Sequence, residues 1–152
     1  MFQAIAMIRS HSILVPVLAL IAWTMIVMLW MMVTRLKAFR KAGIAPGNIP
    51  NGTRGPDLEA RLDPHAVWKA HNYNHLVEQP TLFYALCLTI AIAGLQTSAS
   101  WGLAWAYVGL RVAHSLVQAT VNIVRYRAML FAFSSLCLLS LTVLTVVRAI
   151  AS

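Results

Sequence analysis

The chain has 152 residues, 60% of them hydrophobic and 11% charged, and a mean hydropathy of +0.73. A soluble domain carries about 25% charged residues, so this chain lacks the polar side chains to coat a water-soluble globule, and its solvent is lipid. The formal charge of +8 does not point to nucleic acid: most Lys and Arg flank apolar spans, as positive-inside anchoring requires, and no basic run is interleaved with aromatics in a polar segment.

The fold class that follows is all-α, one integral membrane four-helix bundle subunit occupying residues 1–152 as a single domain. Four segments are long enough to cross about 30 Å of hydrocarbon at about 1.5 Å per residue. The first is expected over about residues 12–35, with Pro16 in its first turn, where a missing N–H costs least. Its apolar run from Ile13 to Val33 exceeds the roughly 7–15 residues of a secretory signal, and no small-x-small cleavage site follows, so it reads as a retained helix.

Residues 37–63 then bring Gly43, Pro46, Gly47, Pro50, Gly52, Gly55 and Pro56 with no helical or alternating period, which predicts a loop. Its Asn51-Gly52-Thr53 matches a glycosylation sequon, a triplet common by chance. The second span is expected over about 64–95, with Asp63 as N-cap and Pro64 near its start. The third is expected over about 101–125 and the fourth over about 128–149. Trp101, Trp105 and Tyr126 fall near span ends, as interfacial aromatics do. The short connections near 96–100 and 125–127 make consecutive helices antiparallel neighbours.

With the 37–63 loop in the cytoplasm, that side holds Arg35, Lys37, Arg40, Lys41, Arg54, Arg61, Lys69, Arg125 and Arg127. The other side holds only Arg9 and Arg148, which places both termini outside the cytoplasm. Cys87 and Cys137 lie in apolar runs and form no CxxC pair, so neither a disulfide nor a thiol-redox motif is indicated.

Chemistry concentrates in two polar stripes. His71, Asn74, His75 and Glu78 share one face of the second span at about 100° per residue. A carboxylate inside a bilayer costs about 2.5 kcal/mol or more, so Glu78 needs a partner. The third span offers one in Arg111, which leads a stripe continuing through His114, Gln118, Asn122 and Arg125. Gly102, Ala106, Gly109 and Ala113 line nearly the opposite side and would admit close helix packing. Taken alone, Asn72 or Asn122 is interhelical glue, and Lys69, Arg35, Arg125 and Arg127 could snorkel to head groups.

Two chemistries fit the stripes together. In the first, Arg111, Arg127 and Arg35 neutralise a small anion while Glu78 takes an ammonium group, and a thiol held near such an Arg has its pKa lowered toward a nucleophilic thiolate. In the second, His71, His75, Glu78 and His114 hold a metal, although Arg111 beside a divalent cation opposes it. The charge balance favours the anion, and no residue is assigned as a metal ligand.

The segment Ala70-His71-Asn72-Tyr73-Asn74-His75-Leu76-Val77-Glu78-Gln79-Pro80-Thr81-Leu82-Phe83, followed by Leu110-Arg111-Val112-Ala113-His114 and Arg125-Tyr126-Arg127, resembles the MAPEG family, the membrane-associated proteins of eicosanoid and glutathione metabolism. The resemblance covers nearly the whole chain, and the wording of the second span resembles a bacterial branch, which implies a bacterial inner membrane.

It further implies a homotrimer binding glutathione as co-substrate between neighbouring subunits near the cytoplasmic side, with a lipophilic substrate arriving from membrane lipid. Arg127 matches the catalytic Arg that stabilises the glutathione thiolate. Arg35, Asn74, His75, Glu78, Arg111, His114, Gln118 and Tyr126 are the corresponding glutathione-binding candidates. Two positions depart from the family pattern: Gln118 stands where many members have Tyr, and Asn74 precedes Glu78 by four residues rather than three. The implied activity is a glutathione-dependent transferase or peroxidase. The alternative, since some members bind lipids without catalysis, is a non-catalytic binding protein for lipids or a small anion.

Overall fold

The computed structural model describes residues 12–151; Arg9, counted above on the non-cytoplasmic side, lies outside the described residues. Helix α1 covers Leu14–Lys41 and runs past its expected end at 35. Nothing between Leu36 and Lys41 opposes a helix, and the stop comes at Gly43. That residue takes φ +67°, letting Ile44 N–H reach Phe39 O at 2.9 Å and Gly43 N–H reach Arg40 O at 3.2 Å. This is a Schellman closure, and its left-handed residue favours glycine.

The segment after Gly43 contains short 3-10 turns at Pro46–Asn48 and Pro56–Arg61. Buried Ala38, Ile44, Leu62 and Ala66 gather there with Phe39 and Val67. The connection thus packs onto the end of α1 through an apolar cluster of its own.

The second span is two helices, α2 (Pro64–Glu78) and α3 (Pro80–Ile92). Asp63 caps α2 as its sequence position predicts, with its side chain accepting from His65 N–H at 2.8 Å. The break falls at Gln79-Pro80, because Pro80 has no N–H for the carbonyl of Leu76 and its ring crowds that turn. Helix α4 (Ser98–Thr120) starts with a reciprocal capping box between Thr97 and Ser100. Helix α5 (Val124–Ala151) completes the bundle.

The fold is all-α, with four major helical spans of which the second is bent. Leu14–Lys41, Pro64–Ile92 and Val124–Ala151 are each long and apolar enough to cross a membrane. Helix α4 is less apolar than these three spans and carries Arg111, His114, Ser115 and Gln118, all buried in the bundle. A row of exposed Leu, Ile, Met and Val on α1 and α5 faces outward, as lipid-solvated helices require. The protein is an integral membrane protein.

The core is made by Leu20 and Val27 of α1, Leu76 of α2, Phe83, Cys87 and Ile90 of α3, Ala104, Tyr107 and Val108 of α4, and Leu138 and Leu141 of α5. Lipid tails are as apolar as these side chains, so close packing and interhelical hydrogen bonds carry the association. One such node is Ser115 Oγ, which accepts from Asn72 Nδ2 at 2.8 Å and from Trp23 Nε1 at 3.0 Å, tying α2 and α1 to α4. Asn72 is interhelical glue.

Three expectations change. Lys69 does not snorkel: it is buried, with Nζ donating to His65 O at 2.8 Å and to Ala119 O at 3.1 Å, 5.1 Å from the Trp30 ring centroid. Among the described residues the small-residue stripe packs against no other helix, since Gly102, Ala106 and Gly109 are exposed and a Cβ on either glycine would meet open space. Finally, α4 ends at Thr120, so Asn122 and Arg125 leave the helical stripe; Asn122 sits in the turn at φ +52° and Arg125 begins α5.

Candidate functional site

Arg111 is the organising residue. It projects from the middle of α4, only 1% exposed, and its Nη2 donates to His75 O at 2.6 Å. Its Nε and Nη1 have no partner among the described residues. The guanidinium lies 5.6 Å from the ring centroid of Phe131 and 6.0 Å from that of Tyr107, so aromatic faces supply part of its environment. A buried cation with two unused donors is expensive unless an acceptor arrives. The two donors are free to meet an acceptor such as an anion.

One helical turn further along α4, the His114 ring meets the His75 ring edge-on at 5.9 Å and lies 6.2 Å from Phe131. His75, His114, Val124, Arg127, Ala128 and Phe131 together line a cavity of about 270 Å³. Its walls join a cation and two imidazoles to an apolar patch, a combination suited to a polar co-substrate meeting a lipophilic one. Arg127 is half-buried in the first turn of α5, and its Nη1 donates to Asn122 Oδ1. Asn122 is held in turn by its own N–H, which reaches back to Val117 O at 2.7 Å. The α4–α5 turn thus aims Arg127 at the cavity from a fixed peptide.

The family model described as MAPEG matches residues 13–147, the stretch that contains all of these side chains. The chain belongs to the MAPEG family. No match was found among curated proteins or among solved structures.

Within this MAPEG chain the sequence-predicted candidates divide into two groups. His75, His114 and Arg127 line the cavity, with Arg111 directly behind it against Phe131 and the carbonyl of His75. Gln118 is buried one turn beyond His114, and its Oε1 has no partner. The others do not converge. Arg35 donates to Gly55 O at 3.4 Å and lies over Phe39, bracing the loop. Tyr126 and Asn74 are exposed.

Glu78 is also exposed; its carboxylate lies 3.5 Å from His75 Nδ1, and no ion pair joins it to Arg111 among the described residues. The reason is the register of α2. Its buried face is Ala66, Lys69, Ala70, Asn72 and Leu76, so the stripe His71, Asn74, Glu78 turns away from the bundle interior.

The four side chains of the metal alternative do not gather at one point among the described residues. His71 Nε2 is tied to Glu59 of the loop at 3.0 Å, and no group of three or more His, Cys, Asp or Glu side chains among the described residues could hold an ion. Two contributors escaped the sequence reading. Phe131 was one apolar residue among many in the fourth span. Asn122 was read as a helical stripe position, although Asn is the non-glycine residue best suited to a left-handed turn after a helix.

Proposed function

We propose that this chain is a glutathione-dependent transferase or peroxidase acting on lipophilic electrophiles or lipid hydroperoxides that reach it through the bilayer. The observation that carries the reading is the cavity in which Arg127 and two imidazoles face Phe131, Val124 and Ala128, backed by Arg111 with two unpartnered donors. Those donors fit a carboxylate of glutathione. Arg127 Nη atoms not bound to Asn122 would hold the sulfur as thiolate, since a neighbouring cation lowers a thiol's pKa. Family membership and the membrane spans support the same general chemistry.

With a chlorinated aromatic, the thiolate bonds to the ring carbon, chloride leaves with its electron pair, and the thiol proton passes to solvent. With a lipid hydroperoxide, the thiolate attacks the terminal oxygen and the O–O bond breaks. The lipid alkoxide takes up a proton to become the alcohol. The glutathione sulfenic acid then condenses with a second glutathione to give the disulfide and water.

The working unit in this proposal is a homotrimer in a bacterial inner membrane, with both termini opposite the cytoplasm. Support comes from the outward polar face of α2, where Asn74 and Glu78 would otherwise meet lipid at high cost. The open stripe of Gly102, Ala106 and Gly109 suits close approach of another subunit. A neighbouring copy would then bring Asn74, Glu78 or Arg35 to a cavity they do not reach within one chain.

The test is turnover by the purified protein with a chlorinated aromatic and with a lipid hydroperoxide, against Arg127→Ala. Loss of turnover in the variant is expected. Absence of any glutathione-dependent turnover, or an Arg127→Ala variant as active as the parent, removes the enzyme reading. Glutathione binding without turnover would leave a binding protein.

A further inference from the structure

Open space also lies away from the candidate site, at the end of α1. Two adjoining cavities of about 310 and 250 Å³ share Ala38, Lys41 and Asp63 and form a groove between the last turns of α1, the Pro56–Arg61 turn and the start of α2. Its depth in the bilayer follows from the sequence. Leu14 to Thr34 carries no charged residue and measures about 31 Å, the hydrocarbon thickness. Arg35 to Lys41 then extends about 10 Å further, into the headgroup layer.

The groove is amphiphilic along that same axis. Thr34, Ala38 and Ala66 line its floor, while Lys37, Lys41 and Arg61 stand exposed at its edge. The chain has four acidic residues to answer twelve Lys and Arg; Asp57, Glu59 and Glu78 are engaged away from the groove lining, and Asp63, which lines it, is tied into the cap of α2. Asp57 Oδ2 accepts from Arg54 N–H at 2.7 Å, Asp63 Oδ1 caps α2 through His65 N–H, Glu59 holds His71, and Glu78 faces His75. Lys37, Lys41 and Arg61 therefore form no ion pair among the described residues.

We propose that this groove is a headgroup site for an anionic phospholipid of the surrounding leaflet, its phosphate on Lys37, Lys41 and Arg61 and its glycerol and upper acyl carbons on Ala38 and Ala66. The site is independent of the glutathione reading. General positive-inside charge attracts anionic lipid diffusely; a groove with an apolar floor at headgroup depth selects one lipid molecule by shape as well as by charge.

The experiment titrates the purified full-length protein in mixed micelles with phosphatidylglycerol and, separately, phosphatidylcholine, counting bound lipids by native mass spectrometry. The parent is expected to hold phosphatidylglycerol about tenfold or more tightly than phosphatidylcholine. The variant Lys37→Gln/Lys41→Gln/Arg61→Gln should lose that preference. A control of equal charge loss outside the groove, Arg40→Gln/Arg54→Gln/Arg125→Gln, should keep it. All three groove positions are exposed, and the single change Lys41→Gln gives a partial loss should the triple variant not fold.

Equal loss in the control means diffuse surface charge and overturns the proposal. Displacement of the lipid by inorganic phosphate also overturns it, as does a change of oligomeric state in the groove variant, which would make the groove a contact between protein copies.

Discussion

Replacing Asn122 separates backbone strain from side-chain chemistry at one atom. Asn122 sits at φ +52° and its Oδ1 accepts from Arg127 Nη1. A hydrogen bond to a charged group is worth about 1.5–3 kcal/mol, and because Arg127 is only half-buried the lower end applies, about 1–2 kcal/mol. Asn122→Ala loses that bond and adds about 1–2 kcal/mol of left-handed strain. Asn122→Gly loses the bond with no strain, and it keeps the Asn122 N–H bond to Val117 O because that donor is backbone.

If Arg127 acts on the thiolate in the transition state, the glycine variant should fall about 5- to 30-fold in kcat/KM, mainly through kcat. Its melting temperature should fall only by the share due to the lost bond, whereas the alanine variant, which adds the strain, should melt lower still. Asn122→Asp keeps an acceptor and tolerates the backbone, and should restore most of the rate. Steady-state glutathione conjugation in detergent and a thermal melt on each variant provide the data. A glycine variant with parental kcat/KM, alongside an inactive Arg127→Ala, would refute the idea that Asn122 positions the guanidinium.

Other substitutions probe the interior. Arg111→Met replaces a buried cation with two unsatisfied donors, so thermal stability in detergent should hold or rise while calorimetric glutathione affinity falls at least about tenfold. A variant that melts markedly lower would show that Arg111 is primarily structural. Ser115→Ala strips the acceptor from Asn72 and Trp23 together and should cost about 1–2 kcal/mol, with a shift in Trp23 emission. Unchanged stability and emission would mean that water replaces the hydroxyl. Gly43→Ala has open space for its Cβ but takes φ +67°, so about 1 kcal/mol of strain should appear as fraying at the end of α1, read by hydrogen exchange of Ile44.

The long apolar runs made α1 and α5 legible, and the Asp63-Pro64 pair marked the start of α2 because cap chemistry is local. Polar spacing correctly put Arg111 and His114 on one face of α4, and burial followed since lipid excludes that face. The same spacing put His71, His75 and Glu78 together but could not say whether their face looked inward. Periodicity defines a stripe; the neighbour that covers it is a tertiary fact. Asn72, off the stripe, is among the residues α2 buries. The end of α4 was missed for a related reason, since a polar period can run on past the last helical peptide, as Asn122 and Arg125 show.

Pro80 changes what can stand opposite Arg111. A continuous helix spends each carbonyl on the N–H four residues ahead; at Gln79-Pro80 the carbonyl of Leu76 loses that partner, and the last turn of α2 carries the partial negative charge of a helix C-terminus. The guanidinium of Arg111 docks on that turn, at His75 O. The counter-charge of the buried arginine is thus a run of peptide dipoles belonging to no acidic side chain. Neutralising every carboxylate in the protein would leave it in place, whereas a residue that let the second span run straight would take it away.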